Sequence, residues 1–283
     1  MRTIIIAVLT IILAPLIGGL LTGCDRKVSA RFQGRYGPPV IQPFLDFVKL
    51  WSKAPQLVNR MQLVWLCCHV LFVVASLVML VLGQDLLMIL FVLAFGALAL
   101  VLGAMSVRSP YSQIGAQREL LQVLAYEPIL VLMVVGIYLV TGSFMITSIF
   151  NQAQPLLVSL PMFFIAFLMV LTIKLRKSPF DFSTSHHAHQ ELVKGMLVEY
   201  SGQYLALIEL CHWYELVFVL ALTSLFWATN LWIGAALALA CYLLEILIDN
   251  VSARVTWQKM LALTWSAGLA LCMVNLAWLY MKL

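Results

Sequence analysis

"LLMILFVLAFGALALVLGAM", Leu86 to Met105, runs for twenty residues without one charged side chain. At 1.5 Å per residue a helix of that length is about 30 Å long, the thickness of a bilayer's hydrocarbon core. Seven more apolar runs of similar length flank it, at 3–24, 61–82, 119–141, 155–174, 206–228, 231–248 and 259–281. The mean hydropathy is +1.01, and 63% of residues are hydrophobic while 10% are charged. Soluble domains carry about 25% charged residues, so this chain lacks the polar groups to cover a water-facing surface. The sequence predicts an all-α polytopic membrane protein, a single domain over 1–283 with about eight transmembrane helices. Six cysteines lie mostly inside apolar runs and show no C-x-x-C spacing, which points to packing rather than to metal ligation or a disulfide framework.

The connections between the runs fix an orientation. Fifteen of the seventeen lysines and arginines fall in the stretches 25–60, 106–118, 174–205 and 249–259, all on one side of an eight-span chain. The other side has only Arg2 and Lys282. Short basic loops stay cytoplasmic, so both termini are expected outside and the two long loops, 25–60 and 174–205, inside. "LTGC", Leu21 to Cys24, resembles a lipoprotein cleavage site, but cleavage would leave the most basic loop on the wrong face; 3–24 is read as an uncleaved helix. The net charge of +5 is a topology signal and implies no nucleic-acid partner.

Each long loop contains a pattern for a surface helix. In "QPFLDFVKLWSK", Phe44, Phe47, Val48 and Trp51 share one face, as in an amphipathic helix lying at the headgroups. In "KSPFDFSTSHHAHQELVKGMLVEYSG", Lys177 to Gly202, Leu192, Val193, Met196, Leu197 and Tyr200 make a second such face. His186, His187 and His189 cluster at its start. They suit a metal, a proton relay or a contact with another protein.

Inside the spans stand Glu127, Glu209, Glu215 and Glu245. A charge at a helix centre costs about 2.5–3.5 kcal/mol, which makes each a functional candidate. Glu127 precedes Pro128, which removes a backbone donor and loosens the helix there. "ELCHWYE" places Glu209, His212 and Glu215 three apart on roughly one face. That spacing fits a proton or ion pathway, a structural hydrogen-bond cluster, or the Glu-x-x-His half of a di-metal site.

The loop sequences "DRKVSARFQGRYGPPVIQPFLDFVKLWSK" and "KSPFDF…HQELVKGMLVEYSG" resemble the membrane subunit of respiratory complex I beneath the peripheral arm. The same family includes the corresponding subunit of energy-converting, membrane-bound [NiFe] hydrogenases, and "SPYSQIGAQREL" followed by "YEP" looks more like that branch. Three departures from the complex I pattern stand out. Ser183 to His187 replaces an acidic run that follows Pro-Phe-Asp, Asp25 replaces a glutamate, and His212 stands where a carboxylate is usual.

The resemblance implies a non-catalytic subunit of a multi-subunit oxidoreductase coupled to H⁺ or Na⁺ translocation, in a prokaryotic cell (inner) membrane. Glu127 and Glu199 match family carboxylates of the ion pathway, which Glu209, His212, Glu215 and Glu245 extend. Arg31, Arg35, Asp181, His186, His187, His189 and Glu191 would dock the arm. Partners implied are hydrogenase large and small subunits, a ferredoxin-like iron–sulfur subunit and antiporter-like membrane subunits. No cofactor is expected in this chain; iron–sulfur clusters and a nickel–iron centre would sit in the partners. Other readings are a quinone-chamber subunit of an NADH-quinone oxidoreductase, a stand-alone ion transporter, or a passive anchor.

Overall fold

The computed structural model describes residues 1–56, 58–181, 183 and 192–281, and is all-α apart from isolated bridges. Its helices are α1 (Arg2–Phe32), α2 (Gln42–Trp51), α3 (Arg60–Val81), α4 (Leu86–Met105) and α5 (Pro110–Thr141), then two short ones, α6 (Ile146–Phe150) and α7 (Leu156–Ser159). After these come α8 (Pro161–Lys174), α9 (Gln203–Leu225), α10 (Leu231–Val251), α11 (Trp257–Leu263) and α12 (Leu269–Tyr280). A π turn, Thr264–Gly268, joins the last two into one apolar helix, Trp257–Tyr280. Seven helices among the described residues are long and apolar enough to cross a membrane.

The expected span over 155–174 comes out differently. Pro161 starts α8 and pushes Leu160 out of helical geometry, to φ −126 and ψ 47, so the run divides into α7 and α8. With 14 residues α8 is about 21 Å long, short of a full crossing. It is a core helix, burying Phe163, Ala166, Phe167, Val170, Leu171 and Ile173. Asn275 on α12 repairs the break: its Oδ1 accepts from the amides of Met162 (2.9 Å) and Phe163 (3.4 Å) at the start of α8.

Two compact units share the chain: Met1–Val78 with Val92–Leu121 and Asp181–Val217, and Met79–Phe91 with Gln122–Phe180 and Phe218–Leu283. In the first, α1 is longer than expected and carries Asp25, Arg26, Lys27 and Arg31 on its last turns. Gly18 lets it lie against α9, since a Cβ there would stand 2.5 Å from Trp213 O. The expected surface helix in the first loop forms as α2. Phe44 and Phe47 turn inward, with ring centroids 5.2 and 5.7 Å from Trp213, while Val48 and Trp51 remain exposed.

The second expected surface helix does not form over the described residues 192–200. Only a 3₁₀ turn, Gly195–Leu197, is present, and Met196, Leu197 and Tyr200 are buried among Leu66, Leu100, Ala104, Ala116 and Ile208. Lys194 and Gly195 take positive φ, of 57° and 38°, which a helix excludes. A Cβ on Gly195 would meet Ser183 O, so only glycine fits where the segment crosses that strand of chain. Its apolar spacing serves a threaded core segment, not a membrane-facing helix.

Candidate functional site

In the first unit the polar groups sit in the first half of α5 and of α9. Starting α5 at Pro110 puts Arg118 and Glu119 on the helix. Arg118 Nη1 lies 3.5 Å from Asp181 Oδ2, and Ser183 Oγ donates to Glu119 Oε2. Two adjacent α5 residues thereby anchor the start of the histidine-bearing loop. Tyr111 holds its far end, donating to Val193 O at 3.0 Å and accepting from Val193 N at 2.7 Å. Asp181, expected on the docking surface, is thus buried at 7% exposure beside Arg118. Arg31 and Arg35 do lie exposed; Arg31 stacks over Tyr36 at 4.8 Å and Arg35 donates to Gln33. His186, His187, His189 and Glu191 lie outside the described residues.

Farther along the same unit, Glu199 is half-buried, and Gln62 Nε2 approaches its carbonyl at 3.5 Å. Tyr200 beside it is buried, which pushes its phenol up to about 12. On α9, Glu209 Oε2 and His212 Nδ1 stand 3.9 Å apart, both half-buried, and Glu215 follows on the next turn. His212 Nε2 has no hydrogen-bond partner among the described residues. No group of three or more His, Cys, Asp or Glu side chains that could hold a metal occurs among them either.

The second unit holds Glu127 and Glu245 on separate helices with separate partners. Glu127, half-buried on α5, feels the charge of Lys174 at the end of α8. Lys174 Nζ also lies 4.4 Å over the ring of Tyr126. Glu245 on α10 is fully buried: its Oε1 accepts from Thr172 Oγ1 at 3.1 Å, and its Oε2 has no partner among the described residues. One turn on, Asp249 accepts from the Ser178 amide at 2.9 Å and faces Lys177 Nζ at 3.8 Å. Lys177 is itself buried at 6% exposure, with the Tyr242 ring 5.8 Å away.

Sequence reasoning found the acids because ionisable groups in spans are rare. It missed their partners. Lys174 and Lys177 read as loop charges that set orientation, and Arg118 read the same way. His69 was also passed over; it lies in mid α3, buried, with Nδ1 2.8 Å from Gly96 O, and its place inside an apolar run was the available signal.

The family model described as NADH dehydrogenase matches residues 4–280. The chain belongs to this family. The resemblance carried by the two loop sequences is therefore upheld, and the chain is a multi-pass membrane protein of complex I-like type. Among its relatives, hydrogenase-4 component C of Escherichia coli K12 is 30% identical, over 97% of this chain and 93% of its own length. An NADH-quinone oxidoreductase subunit of Thermomicrobium roseum is 27% identical, over 90% and 88%. A similar solved structure is a chain of the membrane-bound sulfane sulfur reductase, an archaeal respiratory membrane complex. It has a TM-score of 0.89 and 25% identity, covering 99% of this chain and 100% of that one.

Proposed function

We propose that this chain is the ion-translocating membrane subunit of an energy-converting, ferredoxin-linked [NiFe] hydrogenase complex, joining a peripheral electron-transfer arm to antiporter-like subunits. The observation that carries this reading is the facing of half-buried acids by lysines in the second unit, Glu127 by Lys174 and Asp249 by Lys177, with the buried Glu245 one turn from Asp249. An acid sunk in apolar helices is expensive and is kept where charge must pass. The Arg118–Asp181 contact in the first unit suits a fixed support for the docking loop.

In this reading α7 and α8 together make one crossing, so the termini lie outside and Arg31 and Arg35 face the arm from the cytoplasmic side. Partner subunits hold the iron–sulfur clusters and the nickel–iron centre. Electron transfer there shifts the local field, and Glu127, Glu199, Glu209, His212, Glu215 and Glu245 respond by moving protons or exchanging them for ions. The likeness to a hydrogenase-4 component over nearly the whole chain supports the hydrogenase branch. The likeness to a component of an NADH-quinone oxidoreductase supports a second reading, a quinone-reducing complex with the same architecture.

Metal analysis of the affinity-purified assembly separates the two: nickel is expected, and its absence together with sensitivity to quinone-site inhibitors would select the second reading. Glu127→Gln should abolish donor-driven ion uptake into vesicles while hydrogen evolution continues. Full coupling in that variant would remove Glu127 from the pathway.

A further inference from the structure

Pro128 stands inside α5, immediately after Glu127. Having no N–H, it cannot donate to the carbonyl four residues earlier, Leu124 O, and its ring crowds that same carbonyl. Within a bilayer the freed carbonyl takes a donor from a neighbouring helix, a Ser or Thr hydroxyl or an ordered water, or the helix adjusts locally. Here the donor is Trp265, whose Nε1 lies 3.3 Å from Leu124 O.

Trp265 belongs to the π turn Thr264–Gly268. A π turn inserts one residue into a helix and re-aims the side chains around it, and such turns gather at functional sites. Its closing residue also touches α5: a Cβ on Gly268 would lie 2.6 Å from Ile129 Cδ1. The turn therefore grips α5 at Leu124 and at Ile129, on either side of Glu127 and Pro128. Thr264 at its start satisfies itself, donating to Met260 O or Leu261 O, each 3.0 Å away, so the widened turn leaves no hydroxyl unpaired.

We propose that Trp265 is a positioning residue for Glu127: its indole N–H replaces the donor that Pro128 lacks and, with Gly268 against Ile129, holds α5 around Pro128 so that Glu127 stays within electrostatic reach of Lys174. This rests on the reading of Glu127 as a pathway carboxylate. It adds that the last helix of the chain, through one side chain, sets where that carboxylate stands.

The test is a two-by-two set of variants in the assembled complex, in native membranes. Trp265→Phe keeps the ring and loses the donor; Pro128→Ala restores the backbone N–H that Leu124 O would otherwise receive. Two quantities are read: ion uptake per electron, and the titration midpoint of the Glu127 carboxyl, identified as the infrared band lost in Glu127→Gln. Trp265→Phe alone should lower uptake roughly threefold, the factor an average interhelical hydrogen bond in a membrane is worth. It should also move the midpoint. Added to Pro128→Ala, the same change should alter neither. An unmoved midpoint in Trp265→Phe, or an equal effect of Trp265→Phe in both backgrounds, overturns the proposal. If Trp265→Phe prevents assembly, restored assembly with Pro128→Ala supports it and continued failure overturns it. Should Glu127→Gln prove fully coupled, the pathway reading falls while the midpoint comparison still decides whether Trp265 positions Glu127.

Discussion

Two spans of this chain carry a proline within the helix, α1 at Pro15 and α5 at Pro128, and in both the carbonyl it leaves without a donor is satisfied in the same way. Pro15 leaves Ile11 O without its helical donor, and the hydroxyl of Tyr214 on α9 reaches it at 2.6 Å. Pro128 does the same to Leu124 O, and the indole of Trp265 takes it up at 3.3 Å. In each case an aromatic side chain supplies both an apolar body for the bilayer and one polar atom for the orphaned carbonyl. The two prolines differ in what stands beside them. Pro15 lies between Ala14 and Leu16, in a stretch with no charged residue from Thr3 to Cys24, whereas Pro128 follows Glu127. The same backbone repair is structural in α1 and adjoins a charge-bearing group in α5. What decides the consequence of a membrane proline is its neighbour.

The comparison is tested most severely by making the neighbours of the two prolines alike. Ala14→Glu places a carboxylate just before Pro15, at a position 4% exposed and with no basic residue within α1's apolar stretch. A charge so placed costs about 2.5–3.5 kcal/mol on insertion scales. The variant should accumulate in membranes at a small fraction of the normal level, measured by quantifying the integrated chain. Normal accumulation would mean that an acid beside a membrane proline needs no cation, and Lys174 would lose its part in accounting for Glu127.

How much of this was visible in the sequence follows from what the bilayer demands. Runs such as Leu86–Met105 were legible because nothing but an apolar helix survives there, and α4 has the expected bounds. The run at 155–174 misled because composition alone does not register that Pro161 cuts it. Met196, Leu197 and Tyr200 misled because a segment threaded through a core shows the same spacing as an amphipathic helix; the positive φ at Lys194 and Gly195 decides between them. Glu127 and Glu245 were legible by rarity. Lys174, Lys177 and Thr172 were not, since a lysine at a helix end serves topology and pairing equally well. The meeting of Tyr214 with Ile11, 203 residues apart, depends on which helices touch, and no local pattern encodes that.

A second buried phenol in the first unit measures what an aromatic hydroxyl contributes away from any proline. Tyr200 sits in the core at 4% exposure, next to Gly103, and burial raises its phenol to about 12. Unfolded, it titrates near 10. Below pH 10 both states hold the proton and stability is flat. Between pH 10 and 12 the unfolded chain loses it first, so stability falls by about 2 kcal/mol across that window. Thermal unfolding of the detergent-solubilised protein at stepped pH should show this loss, and Tyr200→Phe should remove it. An identical alkaline slope in both proteins would mean that the burial of this hydroxyl has no energetic consequence.

The smallest effect is the most discriminating. Tyr214→Phe deletes the donor to Ile11 O and nothing else, since the ring remains against α1. Interhelical hydrogen bonds in membranes are worth about 0.6 kcal/mol on average, so the loss in thermal stability should be slight. Restoring the backbone donor with Pro15→Ala should cancel it. Ion uptake per electron should stay unchanged, because no ionisable group flanks this proline on α1. That invariance is the control against which Trp265→Phe is read. Tyr214 does, however, sit within "ELCHWYE", next to Glu215 and two residues after His212. If Tyr214→Phe reduced uptake as far as Trp265→Phe does, the hydroxyl would be setting the rotation of α9, and with it the stance of Glu209, His212 and Glu215. The two mended prolines would then both be positioning devices, each acting on acids in its own unit.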